Sequence, residues 1–179
     1  MIRSWAVRIL TAGFCTGLAL AAPQIRGGAV NAASRIVPGL PDYGVAKGSL
    51  MYLGGQGMGP DEIVRGEFPL GEELGGVKVS VRVGDSTVNA IMVAVSARQV
   101  WAIVPSSAPS GSGVVTLTYN GENATTPIDV VDAAFGIFVT PGATFGNAIG
   151  FNGGQELNQF VKSARPGQQV TLIGTGLGA

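Results

Sequence analysis

Between Val77 and Val83 apolar and polar residues alternate without a break. Val77, Val79, Val81 and Val83 face one way and Lys78, Ser80 and Arg82 the other, the period-2 pattern of a strand with one buried face. Shorter β-branched runs surround it. Ser49 to Leu53 reads as a strand, and Gly54 to Gly75 as a long loop carrying Asp61, Glu62, Glu67, Glu72 and Glu73. Gly84-Asp85-Ser86 marks a turn before a strand from Val88 to Val95. Ser96-Ala97-Arg98-Gln99 leads into a strand from Val100 to Val104, stopped by Pro105. Val114 to Tyr119 and Thr125 to Val131 flank Asn120-Gly121, a dipeptide suited to a type I′ hairpin turn because both central residues need positive φ. No long window beyond the N-terminal apolar stretch has helical periodicity. Short strands between turn residues predict an all-β, antiparallel sandwich.

One pattern occurs twice. Lys47-Gly48-Ser49-Leu50-Met51-Tyr52-Leu53-Gly54-Gly55-Gln56-Gly57-Met58-Gly59 returns 119 residues later as Pro166 to Gly178, with Gly48, Leu53, Gly55, Gly57 and Gly59 matched by Gly167, Leu172, Gly174, Gly176 and Gly178. A period of that length is domain-sized, far longer than a solenoid unit. The expected organisation is an irregular lead-in over 22–45, a sandwich over 46–132, a glycine-rich connecting hairpin over 133–163, and the first strand of a second, incomplete domain over 164–179.

Several segments in order carry a family resemblance: Asn31-Ala32-Ala33-Ser34, Leu74-Gly75-Gly76-Val77-Lys78-Val79, Val95-Ser96-Ala97-Arg98-Gln99-Val100, Val104-Pro105, Phe135-Gly136-Ile137-Phe138 and Gly174-Thr175-Gly176-Leu177-Gly178. Together they resemble the uncharacterised C-terminal domain of many secreted acidobacterial ("Solibacter-type") proteins, whose halves are similar to the IPT/TIG group of immunoglobulin-like sandwiches. The resemblance implies an immunoglobulin-like fold and no enzyme activity, cofactor or catalytic residue.

Composition changes the picture chiefly through compartment. Arg3 and Arg8, the apolar run Ile9 to Ala22 and Ala19-Leu20-Ala21 form the n-region, h-region and cleavage site of a signal peptide over 1–21. The apolar run is too short to cross a bilayer core of about 30 Å. Cleavage would remove Cys15, the one cysteine, and leave nine basic against eleven acidic residues. The expectation is an exported, secreted or cell-surface protein without a stable membrane span, stabilised by core burial alone. The remaining charges form no basic stripe, which argues against nucleic acid as a partner.

The chain has no histidine, which excludes a Ser-His-Asp triad, a histidine base and His-ligated zinc. Asp61-Glu62 lacks the spacing of a calcium loop, and Asn123-Ala124-Thr125 is a glycosylation sequon beside the hairpin turn. Val170 to Ala179 matches a strand followed by GxGxxA, so a fragment of a dinucleotide-binding enzyme starting near Gly167 is one alternative. The earlier copy, in which Gly55-Gln56-Gly57-Met58-Gly59 runs into Pro60 and an acidic loop, favours tight loop geometry at both places. No catalytic, cofactor or metal residue is therefore assigned.

The hairpin from Ile91 to Val104 does carry a candidate. If Val95 pairs with Val100, Ala94 faces Trp101 and Met92 faces Ile103, while Ile91, Val93, Val95, Val100, Ala102 and Val104 line the other side. Both faces are then apolar, where a half-solvated hairpin should alternate. Met92, Ala94, Trp101 and Ile103 form a possible interaction patch, unless the segment from Phe135 to Phe160 folds over it. The expected function is a non-enzymatic structural or interaction module, its partners being neighbouring domains of a larger protein or an extracellular protein or glycan. Adhesion through the Trp101 face, to carbohydrate or protein, is the other alternative.

Overall fold

The computed structural model describes residues 22–140, 147–154 and 156–179. The segment expected to be a signal peptide, and Pro141-Gly142, lie outside them. In chain order the strands are β1 (Gln24–Asn31), β2 (Val45–Ala46), β3 (Leu50–Gln56), β4 (Val64–Arg65), β5 (Glu73–Leu74), β6 (Val77–Val83), β7 (Ser86–Asn89) and β8 (Ile91–Val95). They continue as β9 (Gln99–Ile103), β10 (Gly111–Tyr119), β11 (Glu122–Val131), β12 (Gly136–Ile137), β13 (Gly150–Asn152), β14 (Glu156–Leu157), β15 (Val170–Leu172) and β16 (Gly174–Thr175). The described residues are all-β.

Two sheets stack as a sandwich. One has the order β1-β3-β9-β8-β4; the other runs β2-β11-β10-β6-β5, with β7 also paired to β6. Alternation places the core. Val77, Val79, Val81 and Val83 of β6, with Val115 and Leu117 of β10 and Ile128 and Val130 of β11, meet Met51, Leu53, Met92, Val95, Val100 and Ala102 of the other layer. Burying such side chains supplies about 1.5–3 kcal/mol each, the main drive for layering. Asn120 and Gly121 have φ of 51° and 81°, the two positive values the turn demands, and they set the β10–β11 register from Tyr119↔Glu122 to Gly111↔Val130.

Four expectations need correction. The lead-in is not irregular: β1 pairs antiparallel with β3 from Gln24↔Gln56 to Asn31↔Met51. Gly27 and Gly28, with φ of 77° and 82°, form a bulge between Arg26 and Ala29, and these two extra residues break the alternation that would reveal a strand. The sandwich is not wholly antiparallel, because β2 runs parallel to β11 (Val130↔Val45). The expected strand Val88 to Val95 is two strands in different sheets: Val88 pairs with Val81 in one, and Ile91 with Ile103 in the other. The chain crosses between layers at fully buried Ala90, whose N–H donates to the Val79 carbonyl at 2.8 Å. Last, the long loop is partly ordered into edges, β4 on β8 and β5 on β6, and folds Met58 into the core.

Downstream of β11 the chain builds two smaller sheets, β12-β16 and β14-β13-β15. The pairing of β13 with β15 repeats that of β1 with β3. Asn31 sits opposite Met51 and Asn152 opposite Val170; Ala29 sits opposite Leu53 and Gly150 opposite Leu172. The flanking bond is repeated too: Ala32 N–H donates to the Leu50 carbonyl at 3.0 Å, and Gly153 N–H to the Gln169 carbonyl at 3.0 Å. The structural repeat thus reaches back to Gly150, into the segment expected to be a connector.

At the end of β11, Asp132 accepts from the Ser110 hydroxyl at 2.6 Å and meets the Lys47 ammonium at 2.9 Å. The Ser110 hydrogen bond first, and then the bond and charge of Lys47, hold its carboxyl below the usual carboxylate range. A carboxyl depressed in the folded state contributes stability above its unfolded pKa and loses it as pH falls through the folded value. Asp132→Asn should therefore lower Tm slightly at neutral and alkaline pH, with the difference from the parent vanishing as pH falls through the folded pKa, measured as Tm against pH. The effect is small because the carboxylate is exposed.

Candidate functional site

Strands β8 and β9 form the hairpin singled out from sequence. Val95 pairs with Val100 and Ala94 with Trp101, as the turn residues imply. A bulge at Val93 then shifts the register, so that Met92 pairs with Ala102 and Ile91 with Ile103. Met92 accordingly points into the core, 1% exposed, and is no part of a surface patch. Ala94, Trp101 and Ile103 lie half-buried on the outer side, and Ile91 takes the place expected for Met92.

Short-range contacts cover much of that face. Tyr52, opposite Trp101 on β3, meets it edge-on with ring centroids 5.4 Å apart. The Arg35 guanidinium lies 4.1 Å from the Tyr52 ring centroid and 5.6 Å from that of Trp101, within cation–π range of both. Phe135 and Phe160, at the two ends of the segment considered as a cover, are 53% and 98% exposed. Arg35 reaches the rings because the turn after β1 gives it a φ of 51°.

That turn is organised by Asn31, which composition and spacing did not mark as functional. Its side chain is buried, and its Oδ1 accepts from the N–H groups of Ala33 (2.8 Å) and Ser34 (3.1 Å). Its Nδ2 donates to the Ala134 carbonyl at 2.6 Å. Ala134 N–H donates in turn to the Gly176 carbonyl at 2.8 Å. Nearby, Leu50 N–H, left over where β1 turns away, donates to Thr175 Oγ1 at 3.0 Å. Asn31 therefore joins β1, the chain leaving β11, and the glycine run after β15. The one sequence signal was an Asn followed by small residues, which suits a side-chain-capped turn.

The glycine run is occupied by its own chain. Gly176 has φ of 95°, and a Cβ there would run into the Ala134 carbonyl oxygen and come within 2.7 Å of Asn31 Nδ2. A Cβ on Gly178 would meet the Asp132 carbonyl oxygen. In a dinucleotide fold such glycines admit a pyrophosphate at a helix N-terminus; here β12 and the chain around Asp132 fill the close approach. Asp61 and Glu62 are exposed, and among the described residues no group of three or more acidic, Cys or His side chains is placed to hold a metal ion. Nor is any helix among them long and apolar enough to cross a membrane.

One ionisable group stands out near β1. Tyr43 donates its hydroxyl to the Ala29 carbonyl at 2.9 Å; burial, and then the Asp129 carboxylate, push its phenol above the usual range. That makes it a neutral structural donor at any ordinary pH. No family model matches the chain, and no curated protein matches it in sequence.

Proposed function

We propose that this chain is a non-enzymatic, exported structural module whose sandwich, of the immunoglobulin-like IPT/TIG kind, holds a second β unit in a fixed orientation. The observation that carries this reading is the Asn31–Ala134–Gly176 relay, in which the buried amide of Asn31 bonds its own turn and the Ala134 carbonyl, and the Ala134 N–H bonds the Gly176 carbonyl of the glycine run after β15. Buried polar side chains with their groups paired specify one arrangement over others, since shifting the junction would leave an amide and carbonyls unpaired at about 1–3 kcal/mol each. The partners of such a module are neighbouring domains of a larger protein or an extracellular protein. The signal-like N-terminus and the resemblance to secreted acidobacterial domains support export.

Glycan or protein adhesion through the Trp101 face has less support, because Arg35 and Tyr52 already occupy the aromatic surface. Spin labels at exposed Glu122→Cys and Ser163→Cys test the module reading. A rigid junction gives one narrow distance distribution, whereas a broad one would mean a flexible tether and overturn it.

A further inference from the structure

We infer that Asn120 is a self-modification site, where the backbone nitrogen of Gly121 attacks the side-chain amide and converts it, with water as the only co-reactant, to aspartate and isoaspartate. This goes beyond the module reading and does not depend on it.

The chain holds two Asn-Gly pairs, Asn120-Gly121 and Asn152-Gly153. A glycine after asparagine has no side chain to hinder the approach of its nitrogen to the amide carbon. The fold treats the two pairs differently. At the β10–β11 tip both Asn120 and Gly121 are exposed, and a Cβ on Gly121 would meet nothing within 4 Å. The flanking pair Tyr119↔Glu122 makes the ladder bonds that close a two-residue turn, which leaves the Gly121 N–H out of the ladder. Among the described residues no carbonyl accepts from it. Asn152-Gly153 is the opposite case. Asn152 is buried, its Nδ2 donates to the Lys162 carbonyl at 2.7 Å, and the Gly153 N–H donates to the Gln169 carbonyl at 3.0 Å. Attacking nitrogen and leaving amide are both tied down there. Asn123, also exposed on the hairpin, is held by the Thr118 hydroxyl at 2.7 Å and precedes the buried Ala124 rather than a glycine.

The reaction balances without a cofactor. A base takes the Gly121 amide proton, the nitrogen bonds to Asn120 Cγ, and the Cγ–Nδ2 bond breaks as Nδ2 leaves with a proton as ammonia. The five-membered imide then takes up water at either carbonyl. Opening at Cγ gives aspartate; opening at the main-chain carbonyl gives isoaspartate, in which Cβ has entered the backbone. The closed turn restricts Asn120, with its φ of 51°, so the reaction proceeds through the openings of a solvent-exposed hairpin tip. Aspartate tolerates positive φ and keeps the turn, adding a charge beside Glu122. Isoaspartate lengthens the turn by a backbone bond and disrupts Tyr119↔Glu122, at a tyrosine that packs on the core.

The test incubates the purified protein at mildly alkaline pH, folded and in urea, and follows each asparagine by peptide mass and by enzymatic methylation of isoaspartate. In the folded protein Asn120 should convert at least about tenfold faster than Asn152, which reacts only through larger openings. The rate should rise with pH, because a base takes the amide proton. In urea the two pairs should approach one rate. Asn120→Gly supplies the positive φ the turn needs, so it should keep the hairpin and give no product there. An Asn120 that survives in the folded protein while reacting in urea would overturn the inference, as would equal rates at the two pairs in the folded protein. Aspartate without isoaspartate would overturn it too, since direct hydrolysis of the amide by water makes no isoaspartate.

Discussion

Leu53→Ala should destabilise the protein by about 3 kcal/mol, while Leu172→Ala, the same change at the matching position of the repeat, should cost under about 1 kcal/mol. Leu53 is wholly buried in the sandwich core beside Met51 and opposite Val100, so truncation removes transfer energy and leaves a cavity that strands on both sides keep open. Leu172 is half exposed on a strand that pairs on one edge among the described residues, so truncation removes less buried surface. Thermal unfolding followed by Trp101 emission reads the difference: a Tm fall of roughly 10 °C for Leu53→Ala and of a few degrees at most for Leu172→Ala, at about 2–4 °C per kcal/mol for a chain of this size. Equal losses would mean that β15 is covered and the equivalence misread.

Where the backbone follows one simple rule, the fold was legible. The valines of β6 alternate and are all buried, and Asn120-Gly121 makes the turn its residue types require. The β8–β9 register near its turn, Val95↔Val100 and Ala94↔Trp101, also follows from the sequence. What escaped are the places where a residue is inserted or the chain changes layer. A bulge at Val93 turns Met92 from the outer face to the core, and since every residue of that stretch is apolar, the pattern carries no phase to betray it. Gly27-Gly28 hides β1 in the same way. Ala90 moves the chain between sheets with no Gly or Pro beside it; Asn89 and the smallness of Ala90 are the only signals.

The candidate site was legible in reverse order of its depth. Trp101 drew attention because it is large and sits on a face expected to be polar, yet its surroundings depend on Arg35, which reaches it from a turn distant in sequence. Asn31 looked ordinary because its partners, Ala33, Ser34 and Ala134, contribute only backbone groups, which any residue offers. The same holds for the glycine run. Its period-2 spacing is shared by phosphate-binding loops and by close backbone crossings, and the discriminating fact, the Ala134 carbonyl against Gly176, lies about forty residues upstream.

Asn31→Ala should cost about 2–3 kcal/mol, the second of the two large effects, because it unpairs the half-buried Ala134 carbonyl and two backbone donors at once. Ser34 is exposed, so its N–H can turn to water; the loss falls mainly on Ala33 N–H and on the Ala134 carbonyl. Asn31→Asp separates the two roles. A carboxylate still accepts from Ala33 and Ser34 but can no longer donate to Ala134, and it sets a negative charge against that carbonyl oxygen. Amide hydrogen exchange reads each bond by itself. Both variants should speed exchange of the Ala134 N–H, which bonds to the Gly176 carbonyl, and of the Leu50 N–H held by Thr175. Only Asn31→Ala should speed exchange at Ala33. Protection at Ala134 and Leu50 that survives both changes would show that the β12–β16 pairing, Gly136↔Thr175 and Ile137↔Gly174, holds the second unit without the amide. In that case Asn31 shapes the turn under Arg35 and has no part in fixing the junction.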